Sequence, residues 1–285
     1  MARPWFLERP IAHRGLHNVY EGVIEHSRES ILRALRADLP IEVDLVSSAD
    51  QVNFVIHDFV LDHLTDGKGD IRALDAATVR ACRLNFTEDE RIMTLDELLE
   101  LVDGRVPLMV EIKSRLVRII PSVQEACRRL DRYDGIFSVQ SFNPVVMEWV
   151  AEHYPHFTKG LLTYDTDMLE GRNHYILALL RNRMRPDFVA HHLRAQNSWT
   201  FQWMLEQDVP RLAFTVRNHA EWDEARAFAD NMFFEYVEPD RADWRVPARI
   251  PWRADAGEGT DRRDLHNPPA RPDRQLNETD PWWRF

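Results

Sequence analysis

The sequence predicts an α/β fold, a (β/α)8 TIM barrel with a small insertion after the second strand. Three observations carry this expectation. Short apolar runs alternate with helical patterns along the chain, and with one hairpin set aside the runs count to eight. Four of the runs end in charged or imidazole side chains: Ile11-Ala-His13-Arg14-Gly15, Ile41-Glu42-Val43-Asp44, Phe54-Val-Ile-His57-Asp58 and Val110-Glu111-Ile112-Lys113. Strands of such a barrel carry their reactive groups at their C-terminal ends. Finally, 285 residues at 44% hydrophobic content suffice for one large core, since a barrel of this kind takes roughly 250 residues. One catalytic domain over residues 1–250, its insertion at about 47–105, and a flexible tail over 251–285 are therefore expected.

The first strand, Ile11–His13, leads through a polar loop to Ser30–Ala37, where Ile31, Leu32 and Leu35 stand at helical spacing. In the second strand, Ile41–Val46, side chains alternate faces, so Glu42 and Asp44 point one way while Ile41, Val43 and Leu45 pack outward against helices. Ser47-Ser-Ala-Asp50-Gln51 is turn-like. The run Val52–His57 follows too closely for a parallel crossover, so it forms an antiparallel hairpin that returns His57 and Asp58 toward Asp44. Residues Leu61 to Leu84, punctuated by Gly67 and Gly69, read as an excursion from the barrel repeat.

Thr94-Leu-Asp-Glu97 is a capping box ahead of Leu98, Leu99, Leu101 and Val102, with Gly104 as the stop. The strand Pro107–Lys113 sets Glu111 and Lys113 on one face. A helix near Leu116–Arg132 and a strand Ile136–Phe142 follow. Asn143 as cap and Pro144 at the first helical position open a helix to about His153. Further strands are expected at Gly160–Thr163, Phe188–His191, Leu212–Val216 and Met232–Tyr236, and Asn218 with Glu221 reads as a capping box for the helix Glu221–Ala229. Trp199 and Trp203 are spaced to share a helix face in the core, and His191-His192 reads as a polar loop pair.

A net charge of −11 argues against nucleic acid or an anionic membrane surface as partner. No run approaches the ~18 apolar residues of a membrane span, and the first ten residues lack a signal-type apolar stretch. Cys82 and Cys127 are isolated, which suits a reducing compartment. A cytoplasmic enzyme without an integral membrane segment is expected. From Arg253 to Pro281 the only large aliphatics are Leu265 and Leu276, too few to offset ordering entropy. The aromatic close, Trp282-Trp283-Arg284-Phe285, breaks that pattern.

Three carboxylates facing one barrel mouth cannot all stay ionised without cations, and Lys113 supplies only one positive charge. A divalent ion balances the rest. An all-oxygen set of Glu42, Asp44 and Glu111 selects a hard metal, Mg²⁺ or Ca²⁺, with the choice open. His13 and His57 titrate near working pH, so one can take a proton while the other gives one. Such a pair contributes at most about 10⁸-fold, leaving a large remainder to charge stabilisation by the metal, Lys113 and Arg14. His17 lies nearby without a role.

His13-Arg14-Gly15, Glu25 in a loop, Glu42-x-Asp44, His57-Asp58 with Leu61 and Thr65, Glu111-Ile112-Lys113 and Ser141-Phe142-x-Pro144 stand in a familiar order. In these motifs the chain resembles the glycerophosphodiester phosphodiesterases from about Ile11 to Pro239. The resemblance implies a barrel with an insertion after the second strand. It also implies metal ligation by Glu42, Asp44 and Glu111, acid and base roles for His13 and His57, and a phosphate clamp of Arg14 and Lys113. The implied reaction is hydrolysis of a small-molecule glycerophosphodiester to glycerol 3-phosphate and an alcohol. Alternatives are internal attack that releases a cyclic phosphate, and a non-catalytic barrel that binds a phosphorylated ligand. Three positions depart from the family pattern: His26 replaces an asparagine, His63 replaces an arginine, and Met232-Phe-Phe-Glu235-Tyr236 replaces the closing Asp-Gly and Thr-Asp signature. The third departure is expected to alter the last strand's loop and with it substrate choice, and His26 to alter local geometry while its imidazole can still hydrogen-bond; the metal ligands, both histidines and the phosphate clamp are expected to stay untouched.

Overall fold

The computed structural model describes residues 4–114, 119–163, 186–195 and 209–237. The expected Trp199/Trp203 helix face, the tail over 251–285 and residues 116–118 of the helix expected near Leu116–Arg132 lie outside them. Among the described residues the strands are β1 (Ile11–Ala12), β2 (Ile41–Ser47), β3 (Asn53–Val55), β4 (Leu108–Ile112), β5 (Phe137–Ser141), β6 (Thr158–Thr163), β7 (Phe188–His192), β8 (Arg211–Val216) and β9 (Asn231–Phe234). Parallel pairing runs from β2 through β4 and onward to β9, then β1, and closes where Ala12 of β1 meets Ile41 of β2. Eight parallel strands thus form a closed barrel, as expected.

The remaining strand, β3, pairs antiparallel with β2, Leu45 opposite Val55 and Ser47 opposite Asn53. Because β1 is two residues long, the upper edge of β2 is left open, and β3 occupies it. The ladder continues past β3, with the Ile56 N–H donating to the Asp44 carbonyl at 3.1 Å. His13 and His57 therefore leave the sheet along the same edge of β2, one below the other.

Among the described residues the α-helices are α1 (Arg28–Arg36), α2 (Ala76–Ala81), α3 (Leu95–Val102), α4 (Pro121–Leu130), α5 (Pro144–His153) and α6 (His219–Phe228). At α3 the Thr94 side chain accepts from the Glu97 N–H and the Glu97 carboxylate accepts from the Thr94 N–H, the reciprocal cap its sequence predicts. The helix ends where Asp103 and Gly104 turn left-handed, at φ 49° and 68°. α5 begins at Pro144 beneath an Asn143 cap. At α6 the Asn218 side chain accepts from the Glu221 N–H, but the Glu221 carboxylate reaches back to the N–H of Arg217, so that box is displaced by one residue.

Ile41, Val43, Leu45, Leu108, Val110 and Ile112 face the helices, packing with Ile31, Ala34, Leu98 and Val123. Their even- or odd-numbered neighbours face inward. Phe6, Ile11, Met109, Leu162, Phe188, Leu212 and Phe233 fill the floor of the barrel. Each such buried side chain contributes roughly 1.5–3 kcal/mol. A separate cluster of Val46, Phe54, Ile56, Leu61, Ile71, Val79, Leu84 and Ile92 holds the excursion, while α3 delivers Leu95, Leu98, Leu101 and Val102 to the main core. His191 lies in the strand expected for it and β7 runs one residue further through His192, so the two are not a loop pair: His191 is buried with Nδ1 at 2.6 Å from the Thr163 hydroxyl. No helix of the described residues is long and apolar enough to cross a membrane.

Candidate active site

Register brings the carboxylates together. Asp44 of β2 lies opposite Glu111 of β4, and Glu42 shares the Asp44 face two residues earlier. All three are buried, and an oxygen of each lies within 4.8 Å of the others. Removal from water and the repulsion of Asp44 and Glu111 raise the Glu42 carboxyl well above its ordinary range. Burial, with Asp44 beside it, pushes Glu111 up to about 8. Asp44 goes the other way: against the same burial, Lys113, His57 and Arg14 hold it well below the usual carboxylate range. The Lys113 ammonium stands 3.1 Å from Asp44 Oδ1 and 3.6 Å from Glu111 Oε1. One oxygen of Asp44, Oδ2, is buried with no hydrogen-bond partner. Buried anionic oxygens that repel one another, one of them unsatisfied, fit a hard divalent cation.

Arg14 reaches this cluster through a left-handed turn, with φ 58° at Arg14 and 81° at Gly15. A Cβ at position 15 would meet Ser30 Oγ at 2.5 Å, so the chain passes directly against the first turn of α1. The turn lets the Arg14 N–H donate to Glu42 Oε2 at 3.2 Å, while Nη1 donates to both Glu25 oxygens at 3.0 Å. Arg14 Nε, 3.6 Å from Asp44 Oδ2, is buried without a hydrogen-bond partner. Burial opposes the Arg14 charge, but Glu25 and Asp44 more than restore it.

At the position where an asparagine was expected, His26 Nε2 accepts the Asp44 N–H at 3.0 Å. Burial pushes its imidazole down to about 3, so it serves as a neutral acceptor that locks the backbone of the Asp44 strand. His57 Nδ1 lies 2.8 Å from Asp58 Oδ1, and the second oxygen of Asp58 lies 2.6 Å from His63 Nδ1. Burial, then Lys113 and Arg14, lower the His57 pKa. His13 Nε2 lies 3.7 Å from Glu42 Oε2, and its pKa is lowered by burial and by Arg14.

The opposite face of His13 corrects one expectation. The altered end of the last strand does touch a histidine singled out for acid–base work: Glu235 Oε1 is 2.5 Å from His13 Nδ1. Alternation along β9 explains it, since Asn231, Phe233 and Glu235 all point into the barrel. Against burial, His13, His17 and Arg14 hold the Glu235 carboxyl far below its ordinary value. His17 is buried with Nε2 3.9 Å from Glu235, edge-on to Tyr236. Residue parity could have found Glu235. Its side-chain partner could not be read, because 222 residues separate it from His13.

Beside Lys113 a cavity of about 270 Å³ opens toward the excursion, lined by Ser47, Phe59, Arg72 and Ser114 among others. The Arg72 guanidinium covers the Phe59 ring at 4.5 Å.

Comparison with known proteins matches residues 13–228 to the glycerophosphoryl diester phosphodiesterase family. A glycerophosphodiester phosphodiesterase of Caldanaerobacter subterraneus subsp. tengcongensis is 32% identical over 176 residues, 56% of this chain and 68% of that protein. Among solved structures, an Oleispira antarctica phosphodiesterase in complex with its product sn-glycerol-3-phosphate superposes with a TM-score of 0.65 at 18% identity, covering 88% of this chain and 98% of the other. The glycerophosphodiester phosphodiesterase of Thermotoga maritima gives a TM-score of 0.61 at 19% identity, over 79% of this chain and 92% of that one. At these identities the two structures speak for the barrel fold.

Proposed function

The chain belongs to the glycerophosphoryl diester phosphodiesterase family, and from that premise we propose that it hydrolyses glycerophosphodiesters to glycerol 3-phosphate and an alcohol. One divalent cation, Mg²⁺ or Ca²⁺, is held by Glu42, Asp44 and Glu111. The observation that carries this reading is the buried triad itself, with an Asp44 oxygen that accepts no hydrogen bond, at the strand ends where His13 and His57 also stand. When bound, a divalent cation stabilises charge on the phosphoryl oxygens and makes an oxygen nucleophile easier to deprotonate.

The protein groups do the rest. Arg14 and Lys113 hold the phosphate as permanent cations, Arg14 steadied by Glu25 and Lys113 by Asp44. Both histidines have Nδ1 engaged by a carboxylate, Glu235 for His13 and Asp58 for His57, so each offers Nε2 to substrate. One Nε2 takes the proton of the attacking hydroxyl or water; the other delivers a proton to the departing alcohol oxygen. The cavity beside Lys113 has room for a small alcohol substituent. The activity is assigned to residues 1–250, outside the segment 251–285.

Phosphorus NMR of a glycerophosphodiester incubated with the protein and Mg²⁺ or Ca²⁺ tests the proposal. Accumulation of glycerol 3-phosphate supports hydrolysis. A persistent cyclic phosphate would replace it with internal transfer, and binding without turnover would leave a ligand-binding barrel.

A further inference from the structure

We propose that Glu235 is the positioning residue of His13: its carboxylate, aimed by Arg217, keeps the ring proton on Nδ1 and so presents a bare Nε2 to the attacking oxygen. The inference rests on the proton-transfer chemistry proposed above and takes His13, of the two histidines, as the one that receives the proton.

Both oxygens of Glu235 are committed. Oε1 lies 2.5 Å from His13 Nδ1, and Oε2 accepts from Arg217 Nε at 2.8 Å. Arg217 follows β8 and is half exposed, whereas Glu235 is buried at the end of β9. Two adjacent strand ends therefore hold one carboxylate against a ring that leaves β1. An ionised carboxylate has no proton to donate. The short contact at His13 is then Nδ1–H donating to Oε1, which in the neutral ring leaves the lone pair on Nε2. That atom faces the carboxylate cluster, 3.7 Å from Glu42.

Arg217 makes the arrangement directional, and this separates positioning from mere packing. In Glu235→Gln the amide has one oxygen, and the Arg217 donor claims it. The amide nitrogen is then turned toward His13, where an N–H donor facing Nδ1 forces the ring proton to Nε2. Glu235→Ala removes the carboxylate but imposes no tautomer, so a fraction of the rings stays competent. The near-isosteric substitution should thus do more harm than the truncation. A wrong tautomer behind a catalytic imidazole lowers kcat by about 10⁴ where it has been measured in a serine protease.

The test compares wild type, Glu235→Gln, Glu235→Ala and Glu235→Gln/Arg217→Ala, each saturated with Mg²⁺. The expected kcat losses are about 10³–10⁴-fold for Glu235→Gln and about 10–100-fold for Glu235→Ala, with KM within a few-fold of wild type. Removing Arg217 in the Gln background frees the amide to flip and should recover about tenfold. Nitrogen-15 long-range NMR reads the ring directly: a bare Nε2 in wild type and a protonated Nε2 in Glu235→Gln. Glu235→Gln equal to or milder than Glu235→Ala, or one tautomer in both spectra, overturns the proposal. His13→Ala separates the two readings: undiminished turnover there removes His13 from the chemistry, while the spectra still report whether Glu235 sets its tautomer.

Discussion

In excess chelator the protein should become less stable as pH rises from 6.5 toward 8, a window set by the ordinary histidine pKa and by that of Glu111. Burial and repulsion within the triad raise Glu42 and carry Glu111 from 4.5 to about 8. A raised carboxyl pKa means that the native state keeps a proton that the unfolded chain has already released, so each increment of pH favours unfolding until the native pKa is passed. The buried histidines work with the opposite sign. His26, pushed to about 3, and the lowered His13 and His57 are neutral when native and charged when unfolded, so they add stability as pH climbs to 6.5 and little beyond. Asp44, held low, acts only below its ordinary 3.8. At about 1.36 kcal/mol per proton and pH unit, Glu111 alone removes on the order of 2 kcal/mol across the window, and Glu42 adds in the same direction. For a chain of this size that is a fall in Tm of roughly 4–8 °C. Calorimetric melts of wild type and Glu111→Gln across the window, first in chelator and then with Mg²⁺ or Ca²⁺, check it. The expected pattern is a falling Tm for chelated wild type, a shallower fall for Glu111→Gln with higher stability at the alkaline end, and a flat wild-type line once metal is added. A flat or rising Tm in chelator, or Glu111→Gln less stable than wild type there, would show that Glu111 does not hold a proton in the native metal-free protein.

His13→Ala and His57→Ala should each lower kcat by about 10²–10⁴-fold with melting behaviour close to wild type; steady-state kinetics showing a near-normal rate for either would strike that histidine from the mechanism. Arg14→Lys keeps the charge but loses the Nη1 contacts to Glu25 and the planar grip on phosphate, so KM should rise about tenfold or more, and an unchanged KM would count against the clamp. Gly15→Ala combines a left-handed φ of 81° with a Cβ at 2.5 Å from Ser30 Oγ. It should lower stability in a urea melt by roughly 1–2 kcal/mol for the backbone and 1–3 kcal/mol for the crowding. An unshifted urea midpoint would contradict this.

The parts of the fold that were legible are those fixed by local chemistry. Alternation along β2 and β4 decided which side chains meet in the barrel and which meet the helices, and from it the gathering of Glu42, Asp44 and Glu111 into one cluster could be read. The capping residues Thr94, Asn143 and Asn218 marked helix starts within a residue or two. The short link after β2 could only be a hairpin. What escaped was long-range pairing. Nothing near Glu235 says that its carboxylate will meet an imidazole 222 positions earlier. That the His26 imidazole can hydrogen-bond was readable, but its partner, the Asp44 N–H, was not. His191 and His192 read as a polar loop pair at the end of a strand because pattern alone does not reveal that the Thr163 hydroxyl on the adjacent strand meets a buried imidazole.

One dication bound by Glu42, Asp44 and Glu111 is proposed to be required for phosphodiester hydrolysis. Calorimetric titration of Mg²⁺ or Ca²⁺ into metal-stripped protein, with turnover measured on the same samples, decides this. One site per chain is expected, with activity rising in step with its occupancy and both lost in Glu111→Gln. Full turnover by stripped protein in excess chelator would contradict it.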